Sequence, residues 1–126
     1  MRWEGDTGPY LLNTYARIQS IFRKGGTLAS HPNLSLLITR EERLVMRHLW
    51  LLARAIRAAT TARKPNLIVT ALFDLAHAFN EFYHVHRVLD AETSELKKSR
   101  LVLADAVARS IARGLALLGI EVVEEM

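Results

Sequence analysis

The chain has no cysteine among its 126 residues, which removes disulfides and thiolate metal sites together and fits a reducing compartment. No apolar run approaches the roughly 20 residues that a membrane-spanning helix requires. Glu4 and Asp6 beside Arg2 deny the N-terminus the character of a cationic leader, so a soluble cytoplasmic protein is the expectation. No segment alternates apolar and polar residues as a strand does, no tract is of low complexity and none repeats. A glycine-rich phosphate loop and a G-x-S-x-G elbow are both missing, and the single serines and histidines have no spacing that nominates a triad. Catalysis therefore has little to stand on, and no cofactor is expected.

Half of the residues are apolar, enough for one domain over residues 1–126 to bury a core without staples. Acidic residues are the scarcer sign. The net charge is +4, the pI is about 9.9, and arginine makes up 13 of the 17 basic residues. A guanidinium is a planar fork that suits phosphates and base edges better than an ammonium does, so this bias favours an RNA partner.

Apolar residues recur at helical spacing throughout and predict an all-α bundle of about four main helices. The first runs from about Thr7 to Lys24, with Pro9 in its opening turn, Leu11, Tyr15, Ile18 and Phe22 along one stripe, and Gly25-Gly26 as its stop. Residues 25–38 read as a loop with a short helical turn. The Thr39-x-x-Glu42 capping box opens the second helix, expected to reach about Ala62. Pro65 starts a third, expected to last until about Val88. The corner Asp90-Ala91-Glu92-Thr93 precedes a fourth, with Leu96, Leu103, Val107, Ile111, Leu115 and Leu118 on one broad stripe and Gly119 at its end.

At about 100° per residue, Val45, Leu49, Leu52, Ile56 and Ala59 share one face of the second helix, while Arg40, Arg43, Arg47, Arg54 and Arg57 share the other, with Trp50 among them. An indole flanked by guanidiniums can serve as a platform for a base, a sugar or a partner surface. The plainer reading is a solvated face with Trp50 docked on the loop at residues 25–38; a membrane-surface helix is disfavoured because lysine and a bulky aromatic side are lacking. On the third helix Asp74, His77, Glu81 and His84 share a face opposite Ile68, Leu72, Leu75, Phe79 and Phe82. That is where a solvated side belongs, so no metal site is expected from these residues or elsewhere. His86 falls on the apolar stripe and reads as a satisfied histidine near the core. Tyr83 and Arg87, four apart, would meet at the edge of that stripe, either as a stacking ring beside a phosphate-binding guanidinium or as a core-edge tyrosine beside a surface ion pair.

Motifs add to these patterns. The stretches F-N-E-F-Y-H-V-H-R-V-L (79–89), S-R-L-V-L-A-D-A-V (99–107) and the tail G-L-A-L-L-G-I-E-V-V-E-E-M (114–126) follow one another at domain-sized spacing, after G-D-T-G-P-Y-L-L-N-T-Y-A-R-I (5–18). Their order resembles the all-helical DALR anticodon-binding domain that ends class I arginyl-tRNA synthetases, and the resemblance runs from Gly5 to Met126. It implies that residues 1–6 are the remnant of a junction to a catalytic domain. The H-x-G-H and K-M-S-K-S signatures of such enzymes are absent, so the activating chemistry would lie upstream in the same polypeptide or on another chain. The implied function is tRNA binding, with the anticodon loop of an arginine tRNA as partner and Tyr10, Arg17, Tyr83, Arg87 and Met126 as contacts. Where the family reads P-Y-x-Q-Y-A-H-A-R-I, Leu12, Asn13, Thr14 and Tyr15 stand for its glutamine, tyrosine, alanine and histidine, which makes Tyr15 the substitute for the inner tyrosine. The usual P-E-R-M tail is here Val123-Glu124-Glu125-Met126. Arg47, Trp50 and Arg54 would add contacts from the basic face. The alternative is a stand-alone helical protein that binds a protein partner or chaperones tRNA in trans.

Overall fold

The computed structural model describes residues 7–62 and 64–119. Four helices account for most of them: α1 (Thr7–Arg23), α2 (Arg40–Ala62), α3 (Asn66–Val85) and α4 (Ser94–Leu117), with no strand among the described residues. The all-α expectation holds. The apolar stripes explain the packing, because Leu11, Ile18, Val45, Leu72, Phe79, Val107 and Ile111, drawn from all four helices, are each fully buried. They form one continuous core.

Local chemistry sets the helix ends. At the start of α2, Thr39 N donates to Glu42 Oε1 at 3.0 Å and Glu42 N donates back to Thr39 Oγ1 at 3.2 Å, so the capping box closes in both directions. Thr93 caps α4 by accepting from Leu96 N at 3.0 Å. Beyond α4, Gly119 adopts φ +86, the left-handed turn that glycine takes at least cost after a helix. The expected short turn in the loop is a 3-10 turn, Leu34–Leu36, capped by Asn33.

Contacts between distant residues fix the topology. Glu42 meets Arg100, so α2 and α4 start together; Glu41 meets His86, so α2 starts where α3 stops. Arg17 lies over Tyr83, which runs α1 alongside α3. The helices therefore go up and down in chain order. The end of the bundle where α1 and α3 finish and α2 and α4 begin gathers the polar chemistry. Near the other end Gly114 lets α4 close on α3, since a Cβ there would stand 2.7 Å from Leu72 Cδ2.

The third helix is shorter than its periodicity predicts. It stops at Val85, and His86 is extended at φ −118, ψ 143. Arg100, buried at 2% exposure, supplies the reason. Its Nε donates to Glu42 Oε2 at 2.7 Å and its NH1 to the Arg87 carbonyl oxygen at 2.8 Å, while NH2 lies 3.4 Å from His86 Nδ1. An arginine only donates, so His86 Nδ1 accepts and its proton sits on Nε2, which donates to Glu41 Oε1 at 3.0 Å. The chain after α3 is thus held out of the helix by a buried cation. Burial alone pushes the Glu42 carboxyl up, but hydrogen bonds from Arg100 and Thr39 outweigh it and hold the group below the usual carboxylate range. Glu41 is likewise lowered by its hydrogen bond with His86.

Candidate nucleic-acid interface

Helix periodicity turns Arg17, on the margin of α1, toward Tyr83 and Asn80 on α3. The guanidinium carbon of Arg17 lies 4.8 Å from the centroid of the Tyr83 ring, and its NH1 donates to Asn80 Oδ1. Tyr83 also meets buried Phe79, with ring centroids 6.2 Å apart, and keeps 38% of its surface exposed. Asn80 completes the arrangement by donating from Nδ2 to Tyr10 Oη at 3.0 Å and to Thr14 Oγ1 at 2.9 Å.

Beside this pair a cleft of about 710 Å³ opens where the helices end, walled by Arg17, Ser20, Lys24, Tyr83, His84 and Arg87. Arg17, Lys24 and Arg87 face it with Asp90 as the one acidic side chain in its lining, so the cleft is electropositive. A second hollow of about 340 Å³, walled by Tyr10, Thr14, Arg17 and Asn80, adjoins it across Arg17. A positive cleft with an aromatic floor suits a splayed single strand: cations meet phosphates, planar groups meet bases.

Arg17, Tyr83 and Arg87, singled out in the sequence, converge on one cleft, and Tyr10 reaches the adjoining hollow. Tyr83 and Arg87 do not meet as i and i+4 neighbours, because α3 ends between them; Arg87, largely exposed, approaches Asp90 at 4.0 Å, and Arg17 occupies the ring instead. Tyr15 is corrected from stacking candidate to core residue: it is 7% exposed and presents no ring face to a ligand. Met126 and residues 1–6 lie outside the described residues.

Arg47, Trp50 and Arg54 form a separate exposed stripe on α2 and take no part in the cleft lining. Trp50 is 59% exposed and has the guanidinium carbon of Arg54 over its ring, 5.0 Å from the centroid. Its expected docking on the loop does not occur, because the loop lies on α4, where Ser99 Oγ donates to the Asn33 carbonyl oxygen at 2.7 Å. Asp74, His77, Glu81 and His84 face solvent, with His77 and Glu81 3.7 Å apart, and among the described residues no three such side chains gather as a metal site would need. His86 is the satisfied near-core histidine that its stripe position implies.

Sequence reasoning missed Asn80, Glu42 and Arg100 as parts of this end of the molecule. Each left a signal. Asn80 is a poor helix former in the middle of a long helix, and Arg100 interrupts the apolar stripe between Leu96 and Leu103.

Comparison with known proteins agrees with this geometry. The family model described as "DALR anticodon binding domain" matches residues 11–126. The chain is 38% identical over 126 residues to an arginine–tRNA ligase of Clostridium botulinum, covering 100% of this chain and 22% of that protein. It is 42% identical over 127 residues to an arginine–tRNA ligase of a Cyanothece species, covering 98% of this chain and 21% of that one. A solved Thermus thermophilus arginyl-tRNA synthetase superposes with a TM-score of 0.87 at 36% identity, over 99% of this chain and 22% of that one. The chain thus spans about a fifth of the length of these relatives. With the family model matched over residues 11–126 and the fold shared at a TM-score of 0.87, the chain belongs to the DALR anticodon-binding domain family.

Proposed function

We propose that this domain holds the anticodon loop of an arginine tRNA. The convergence of Arg17, Tyr83 and Arg87 on one electropositive cleft carries the reading, since a single-stranded loop needs cations for its backbone and a planar surface for its bases. Arg87 and Lys24, at the mouth, take phosphates. Tyr10 borders the neighbouring hollow, and Met126 joins from the tail as a further contact. The α2 stripe of Arg47, Trp50 and Arg54 adds phosphate contacts away from the cleft. The domain itself carries out no bond-making; its relatives are named arginine–tRNA ligases, so the activating unit is its partner, in cis or in trans. No helix of the described residues is long and apolar enough to cross a membrane, and a cytoplasmic setting follows from the tRNA partner.

Titration of the chain with an arginine tRNA, and with the same tRNA carrying an altered anticodon, at several salt concentrations tests this. The arginine tRNA should bind more tightly, and log affinity should fall linearly with log salt. Replacing Arg47 and Arg54 together with glutamine should weaken both tRNAs alike and flatten the salt slope by up to about one unit per lost phosphate contact. Equal affinity for the two tRNAs would remove the anticodon from this cleft, and capture of a protein with no RNA preference would replace the reading with an interaction module.

A further inference from the structure

Arg17 is held more firmly than a surface arginine ordinarily is. One arm of its fork donates to Asn80 Oδ1, and its guanidinium carbon lies over the Tyr83 ring, 4.8 Å from the centroid. Asn80 cannot turn to release it. Its two amide protons are both spent, on Tyr10 Oη and Thr14 Oγ1, and Thr14 donates its own proton to the Tyr10 carbonyl oxygen at 3.0 Å, leaving a lone pair for Asn80. The amide is therefore fixed with its oxygen toward Arg17, an orientation set by partners on α1 itself.

This has a consequence for stacking. The ring face of Tyr83 that Arg17 covers is not open, and uncovering it would forfeit the cation–π contact and the charge-assisted hydrogen bond together. A guanidinium, however, is itself planar, weakly hydrated on its faces and able to stack on a base. Arg17 lines both the cleft and the adjoining hollow, so the side chain that Tyr83 and Asn80 hold also borders the space a loop base would enter.

We propose that the surface which receives a loop base is the outer face of the Arg17 guanidinium, that Tyr83 is its backing, and that Asn80 is the positioning residue that holds the plane in place. The proposal rests on the anticodon-loop reading and deepens it, by naming the group on which the base lies.

The test uses the chain with an isolated anticodon stem-loop of an arginine tRNA, intact or with each anticodon nucleotide in turn made abasic. Arg17→Lys keeps the charge and loses the plane, so it should weaken the intact stem-loop about tenfold or more at an unchanged salt slope. That penalty should vanish when one particular nucleotide is abasic. Asn80→Ala should lower affinity for the intact stem-loop, yet cost nothing further once Arg17→Lys is present, an outcome that a merely structural role would not give. Should Asn80→Ala fail to fold, the Arg17→Lys cycle alone decides. An Arg17→Lys penalty that is the same for every abasic stem-loop would make Arg17 a phosphate contact and overturn the proposal. So would a silent Arg17→Lys accompanied by abasic coupling to Tyr83→Leu, which would place the base on the tyrosine. If the wild-type chain does not bind the intact stem-loop at all, the anticodon-loop reading falls and this proposal falls with it.

Discussion

Arg17 over Tyr83 and Arg54 over Trp50 are chemically the same pair, at 4.8 and 5.0 Å, but they are held differently. The first joins two helices and is fixed by an asparagine whose two amide protons are both used within the bundle. The second joins neighbours on one turn of a solvated helix, with the indole 59% exposed. Distance does not separate the two; the third partner does. An arginine held in place by a fixed acceptor has lost its rotamer freedom before any ligand arrives, whereas an arginine resting on its own helix still has that freedom to lose on binding.

The largest test of this contrast removes the support under the cleft. Arg100→Ala leaves Glu42 buried without its cation and releases the Arg87 carbonyl, and should cost about 3–5 kcal/mol in denaturant unfolding. A loss near zero would show that water replaces the guanidinium and that the cleft wall is not fixed from beneath. The same pair makes stability sensitive to acid. Glu42 is held below the ordinary carboxylate range in the folded chain, so its stabilising contribution is complete above that range and is lost as pH falls through the lower, folded value. Glu42→Gln should therefore flatten the acid limb of a stability-against-pH curve, and an unchanged limb would assign it to other carboxylates. A smaller effect is expected where α4 touches α3. Gly114→Ala puts a methyl group against Leu72 and should cost about 1–3 kcal/mol by overpacking, read as a lowered melting temperature. The smallest belongs to the solvated pair: Trp50→Ala should change stability by less than about 0.5 kcal/mol. A larger loss would mean that the indole covers core surface and that the two pairs are alike after all.

The sequence carried the helices well because their stripes, capping box and glycine stops are local signals. Thr39-x-x-Glu42 and Gly119 could be read within a few residues of each helix end. The end of α3 could not. Phe82, Val85, Val88 and Leu89 keep helical spacing past Val85, and no proline or glycine interrupts them; what stops the helix is Arg100, 13 residues further on, taking the Arg87 carbonyl. The candidate site shows the same division. Arg17, Tyr83 and Arg87 were visible as residue types within motifs, but Tyr15 was misread because a tyrosine on a stripe can turn its ring inward and remain amphipathic. Asn80 was missed because its role exists only across α1 and α3, between residues 63 to 70 positions apart.

Glu42 and Arg100 are 58 positions apart, and Arg100 belongs to α4, the last of the described helices. During synthesis the first three helices can emerge and begin to pack while the carboxylate at the head of α2 still lacks its cation. Until α4 has left the ribosomal tunnel and docked, that end of the bundle must stay hydrated or bind a proton, and the chain after α3 has no anchor. The cleft is therefore a late product of folding: it is completed only when nearly the whole domain has been made.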